Sequence, residues 1–136
     1  MVKNFLACAT VFSLFGCAVV APGSHSAASG AASSESQVSA RAEARWQAMA
    51  AKDLDKAYEF LSPGSKAAFP LALFKGRIRI LDWRPAKARS ASCEADKCRV
   101  KVAVTFFDRR LGGVATTVLE ETWIKDAGNW WLVFNG

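Results

Sequence analysis

The sequence predicts an α+β domain in which N-terminal helices pack on one curved antiparallel sheet. Three observations predict it. From residue 39 to about residue 74 the apolar residues recur at spacings of three and four, the period of a helix face. From residue 98 onward the period falls to two, as in Val100, Val102, Val104 and Phe106. Turn signals, Asp126-Ala127-Gly128 above all, join the alternating runs as hairpins. Helices followed by successive antiparallel strands imply one layer of each.

The 136 residues, 51% hydrophobic and 22% charged, suit one globular domain. The N-terminal end stands apart. Met1–Asn4 make a short basic head, and residues 5–17, FLACATVFSLFGC, carry no charge. That is the shape of a secretory signal peptide over 1–16. The run is shorter than the roughly 20 apolar residues of a transmembrane helix. An uncleaved anchor continued through Ala18–Ala21 is the competing reading. The stretch LFGC, with Leu14, Gly16 and Cys17, resembles the lipobox of bacterial lipoproteins, in which the signal is cut before an acylated cysteine. The resemblance implies lipidation at Cys17 and a membrane anchor. Two or more acyl chains hold stably, whereas one binds marginally. Residues 22–37 are dominated by Ser, Ala and Gly without an apolar period, so 17–37 reads as a flexible tether. His25, the only histidine, falls in it and is expected neither to catalyse nor to hold a metal. The folded domain is then 38–136.

Within that domain, Ala42, Trp46, Met49 and Ala50 mark the apolar stripe of a first helix. Asp53 is placed to cap a second, whose Leu54, Ala57, Tyr58 and Leu61 share a face. Ser62-Pro63 and Pro70 suggest two more helix starts with a first-turn proline. RIRILDWRPAKARSAS reads as a long first strand with Pro85 at an edge position or bulge. CRVKVAVTF, VATTVLEETWIK and NWWLVF supply three further strands.

RWQAMAAKDLDKAYEFLSPGSKAAF and the closing ETWIKDAGNWWLV resemble the nuclear transport factor 2-like superfamily, and more narrowly small bacterial lipoproteins with that domain. Trp46, Asp53, Ala57, Tyr58, Ser62, Pro63, Trp123, Gly128 and Trp130 or Trp131 carry the resemblance. It implies a cone: a strongly curved sheet of about four strands wrapped on helices, with a cavity between. The superfamily includes isomerases, dehydratases, cyclases and many non-enzymatic binders, so it implies a fold more than a function. It also implies that a homodimer through the sheet face is an option.

Cys93 and Cys98 flank EADK in a hairpin turn, and in an exported chain this predicts a disulfide. Two thiolates without a nearby histidine do not complete a metal site, so no metal or other cofactor is expected. Trp46, Tyr58, Trp83, Trp123 and Trp131 are candidates to line a cone pocket, against the alternative that they fill it. Trp130 and Trp131 must point to opposite faces of their strand. So must Glu120 and Glu121, which therefore form no carboxylate dyad. The domain has no histidine, and Tyr58 with Asp82 is the best available acid–base pair. Arg79 and Arg84 beside Asp82 argue for an exposed or ion-paired carboxylate. No catalytic residue is assigned.

Nine basic and three acidic residues lie between Lys75 and Lys101. In an exported chain the counterpart is an anionic lipid or glycan surface rather than nucleic acid, unless these are simply solvated faces. The expectation is a lipid-anchored protein on the periplasmic face of the bacterial outer membrane. Its domain would bind a small apolar ligand or an envelope protein without catalysis. One alternative is a lyase or isomerase acting in the cavity. Another is a scaffold touching anionic lipid or cell-wall polymer through a basic face.

Overall fold

The structure is a computed structural model and describes residues 26–78 and 82–136, with side chains from residue 34 onward. Cys17, His25 and the signal segment 1–16 lie outside the described residues. The architecture is α+β, with four helices against a curled antiparallel sheet. The helices are α1 (Ser26–Ala50), α2 (Leu54–Glu59), α3 (Pro63–Ala68) and α4 (Leu71–Arg77); the strands are β1 (Asp82–Trp83), β2 (Lys87–Glu94), β3 (Lys97–Asp108), β4 (Gly113–Asp126) and β5 (Asn129–Val133).

α1 begins at Ser26, so the second half of the stretch expected to be a flexible tether is helical. Ala and Ser tolerate a helix that has a packed continuation to propagate from. Val38, Ala42, Arg45, Trp46 and Met49 form its buried face. α1 ends in a Schellman arrangement: Asp53 N–H donates to Ala48 O and Lys52 N–H to Met49 O, both at 3.0 Å, with Lys52 at φ 61°. The Asp53 side chain caps α2 through the Lys56 N–H, and the Ser62 hydroxyl caps α3 through the Ser65 N–H, with Pro63 in the first turn. Pro70 is itself the cap position of α4 rather than its first residue, and no side chain caps that helix.

The sheet is a meander in which β3 pairs with β4 and β4 with β5, all antiparallel. β1 and β2 both pair with β3, so they are two pieces of one strand. Pro85 has no N–H to give and interrupts the expected long first strand there. Arg89 is the extra residue of a β-bulge in β2. Glu43 on α1 clasps this region, accepting the Ala88 N–H at 3.0 Å and Lys87 Nζ at 3.2 Å.

Cys98, Val100, Val102 and Val104 on the inner face of β3 are fully buried. Burial of each valine is worth roughly 1.5–3 kcal/mol. Two aromatic groups flank this row. Trp83 packs edge-on to Trp46 and Phe106, while Phe74 packs on Tyr58 and Phe134. Leu61 forms a parallel bridge with Leu132, and the Phe134 N–H donates to Ser65 Oγ, which ties β5 to the helices.

Candidate functional site

Alternation along β4 turns Glu121 and Trp123 inward and Glu120 outward. Glu121 is buried among three donors. Its Oε1 accepts from Arg45 Nη1 and Trp46 Nε1, both at 2.7 Å, and its Oε2 accepts from Trp123 Nε1 at 3.0 Å. Burial lowers the Arg45 pKa from its ordinary value, and the Glu121 charge pushes it back up. This cluster escapes a reading that looks only for histidines and carboxylate pairs. Its signals are an arginine in the apolar stripe of α1 and a glutamate in phase with Trp123.

Of the candidate pocket residues, Trp83 lines a cleft, and Trp46 packs edge-on against it with ring centroids 5.3 Å apart. Trp46 and Trp123 are buried and spend their N–H groups on Glu121. Tyr58 donates to Phe69 O at 3.0 Å and to Lys66 O at 3.3 Å, away from that carboxylate. Trp131 is half-buried, with the Arg41 guanidinium and Lys66 ammonium over its ring, whereas Trp130 is buried. Trp83 is half-buried at the rim of a shallow cleft of about 570 Å³, together with Lys52, Asp82, Arg84 and Phe107. Asp82 is exposed there and pairs with Lys52 at 3.5 Å. Cys93 and Cys98 form a disulfide across the β2–β3 hairpin, with Cα atoms 4.1 Å apart. No group of three or more His, Cys, Asp or Glu side chains is placed to hold a metal among the described residues.

The outer face of the sheet carries the charge. Lys97, Arg99 and Lys101 alternate along β3, spaced about 7 Å apart by the strand rise. Ser92 of β2 stands beside Arg99, and Ser90 and Glu120 flank Lys101. These residues line a shallow groove of about 370 Å³, with Glu94 at its end. None of the three cations has an ion pair among the described residues, although acids stand near both ends. The groove offers two serine hydroxyls and a row of cations, a set of donors suited to phosphate or carboxylate oxygens.

No protein-family model and no curated protein matches the chain. Solved structures do. A SEC-C motif containing protein from Rhodopseudomonas palustris superposes with a TM-score of 0.55 at 20% identity, over 66% of this chain and 70% of that one. A SEC-C motif containing protein from Psychrobacter arcticus gives 0.54 at 12% identity, over 66% of this chain and 54% of that one. The likeness is one of fold. It corrects the resemblance drawn from the sequence, because these neighbours are SEC-C motif containing proteins and not nuclear transport factor 2-like lipoproteins. The physical reason is that the residues which carried the resemblance have local jobs. Asp53 and Ser62 cap helices, Pro63 opens one, and Trp46 and Trp123 fill a core. Many helix-on-sheet domains need such residues.

Proposed function

We propose that this chain is a non-catalytic binding module of an oxidising, extracytoplasmic compartment, and that it receives anionic groups on the outer face of its sheet. The observation that carries the reading is the row Lys97, Arg99 and Lys101, exposed and without ion pairs among the described residues over a groove with Ser90 and Ser92. The inner side favours the same reading. Trp46, Trp123, Arg45 and Glu121 are buried between α1 and the sheet, where they bond to one another. The Cys93–Cys98 bridge is of a kind that persists in oxidising surroundings, which supports an exported location.

The test is binding of the full chain to phosphatidylglycerol vesicles, to phosphatidylcholine vesicles and to immobilised heparin, across a salt series. Binding to either anionic probe, weakening as the screening length falls from about 10 Å at 0.1 M to about 3 Å at 1 M, is expected. The pattern across the two anionic probes identifies the source, lipid headgroup or polymer. Equal binding to the neutral and anionic probes at low salt would overturn the reading.

A further inference from the structure

β4 runs from Gly113 to Asp126, but β5 pairs only with Thr122–Asp126. Among the described residues, 113–121 therefore have β3 on one side and an open edge on the other. The turn at Ala127-Gly128 closes Asp126 onto Asn129, so Asp126, Ile124 and Thr122 aim their backbone groups at β5. The register with β3 continues without a shift, and the same alternation aims the backbone N–H and C=O of Val114, Thr116, Val118 and Glu120 at the open edge. Edges of this kind are ordinarily blunted by lysine, proline or a bulge. Residues 113–119, GVATTVL, have none of these, and the charges of Glu120 and the inward-turned Glu121 stand only at the end of the edge. Val114 and Val118 are 60% and 57% exposed, and Phe107, in register with Val114, is exposed beside them.

We propose that the open edge of β4 pairs antiparallel with the same edge of a second copy, about a two-fold axis at Thr116. The occupant follows from self-complementarity. In this register Thr116 faces Thr116 of the other copy, and Val114 faces Val118 in both directions. All three positions have edge-facing backbone groups without a partner among the described residues, so each facing pair exchanges hydrogen bonds, and the two outer faces lie on the same side. β-Branched residues directly opposite one another favour antiparallel pairing. On the inner face, Leu119 comes opposite Gly113, which leaves room for its side chain. The charges agree as well. The antiparallel arrangement brings the loop holding Arg109 and Arg110 up to Glu120 of the other copy. These three residues are exposed and have no ion pair among the described residues. The loop is already shaped for this by Asp108, whose carboxylate accepts the Arg110 and Leu111 N–H groups. The pairing uses a strand edge rather than the sheet face; it shares Glu120 with the end of the outer-face groove, and its test is read without any anionic probe, so its failure and that of anion binding are distinguishable.

Sedimentation of the full chain in mild detergent, over a concentration series, tests it. Twice the monomer mass is expected, with Val118→Lys returning the protein to monomer mass. A nitroxide label on T116C should report a short distance between copies, and a label on E94C a much longer one. A wild-type chain that stays monomeric throughout would overturn the proposal. So would a folded Val118→Lys protein that keeps the dimer mass, or a dimer whose residue-116 labels are no closer than its residue-94 labels. If Val118→Lys fails to fold, the label distances decide alone.

Discussion

Arg45 and Glu121, 76 residues apart in the chain, meet at 2.7 Å with both side chains buried. The pair joins α1 to β4, and two tryptophans donate to the same carboxylate. A buried ion pair is not by itself a strong source of stability, because desolvation offsets much of the attraction. Breaking one is costly, because the surviving charge has nowhere to go.

Glu121→Ala is therefore expected to destabilise the domain by about 3–5 kcal/mol, since it strands Arg45 and leaves two indole N–H groups without an acceptor. Glu121→Gln keeps an acceptor oxygen and should cost less. Urea unfolding followed by tryptophan fluorescence measures both. Equal midpoints for Glu121→Ala and the wild type would show that the cluster contributes nothing.

Cys93→Ser opens a bridge that closes a very short loop. The chain-entropy argument gives a loss of about 2 kcal/mol. Reducing agent should lower the wild-type unfolding midpoint by a similar amount and leave that of the variant in place. A wild-type midpoint indifferent to reductant would remove the bridge from the stability of the fold.

Lys52 and Ala127 hold φ values of 61° and 47°, a region costly for residues with a Cβ. Lys52 closes the Schellman end of α1, where glycine is favoured. Ala127 leads the Ala127-Gly128 hairpin turn, where Asn-Gly is the favoured pair. Lys52→Gly and Ala127→Asn are each expected to stabilise by about 0.5–1 kcal/mol. The Lys52–Asp82 pair given up by Lys52→Gly is exposed and contributes little. A lower melting temperature for both variants would contradict this account of the two turns.

Arg99→Gln removes the middle cation of the outer-face row. A basic residue near an anionic surface contributes about 1 kcal/mol, so affinity for the anionic probe that binds should fall about fivefold at low salt. Arg84→Gln, at the rim of the other cleft, should leave that affinity nearly unchanged. Equal losses in the two variants would indicate a general charge effect rather than a groove.

Much of the fold was legible because its signals are local. The period-two run of Val100, Val102 and Val104 could only bury one face, and it does. The Asp53 and Ser62 caps and the short Cys93–Cys98 spacing are each written within a few residues, whereas Pro85, read as an edge position or bulge of one long strand, divides that strand in two. Local signals also misled. Ser and Ala between 26 and 37 look like a tether in isolation, yet they continue a helix anchored further on by Trp46 and Met49. The same caps and core tryptophans suggested a family that the solved neighbours do not support.

Sequence by itself determined the order of helices and strands, which faces are apolar, and that Glu120 and Glu121 part company across β4. Each follows from a period of 3.6 or 2 within one element. Only the tertiary structure decided what those faces enclose. Arg45 could be seen in an apolar stripe and Glu121 in phase with Trp123, but no local rule says that one reaches the other. Nor could the sequence show that Trp46 and Trp123 fill the interior, that Lys97, Arg99 and Lys101 line a groove, or that β5 ends opposite Thr122 and leaves half of β4 unpaired on that side among the described residues. Those outcomes depend on how far a sheet curls and where its last strand ends, which is set by the packing of many distant residues at once.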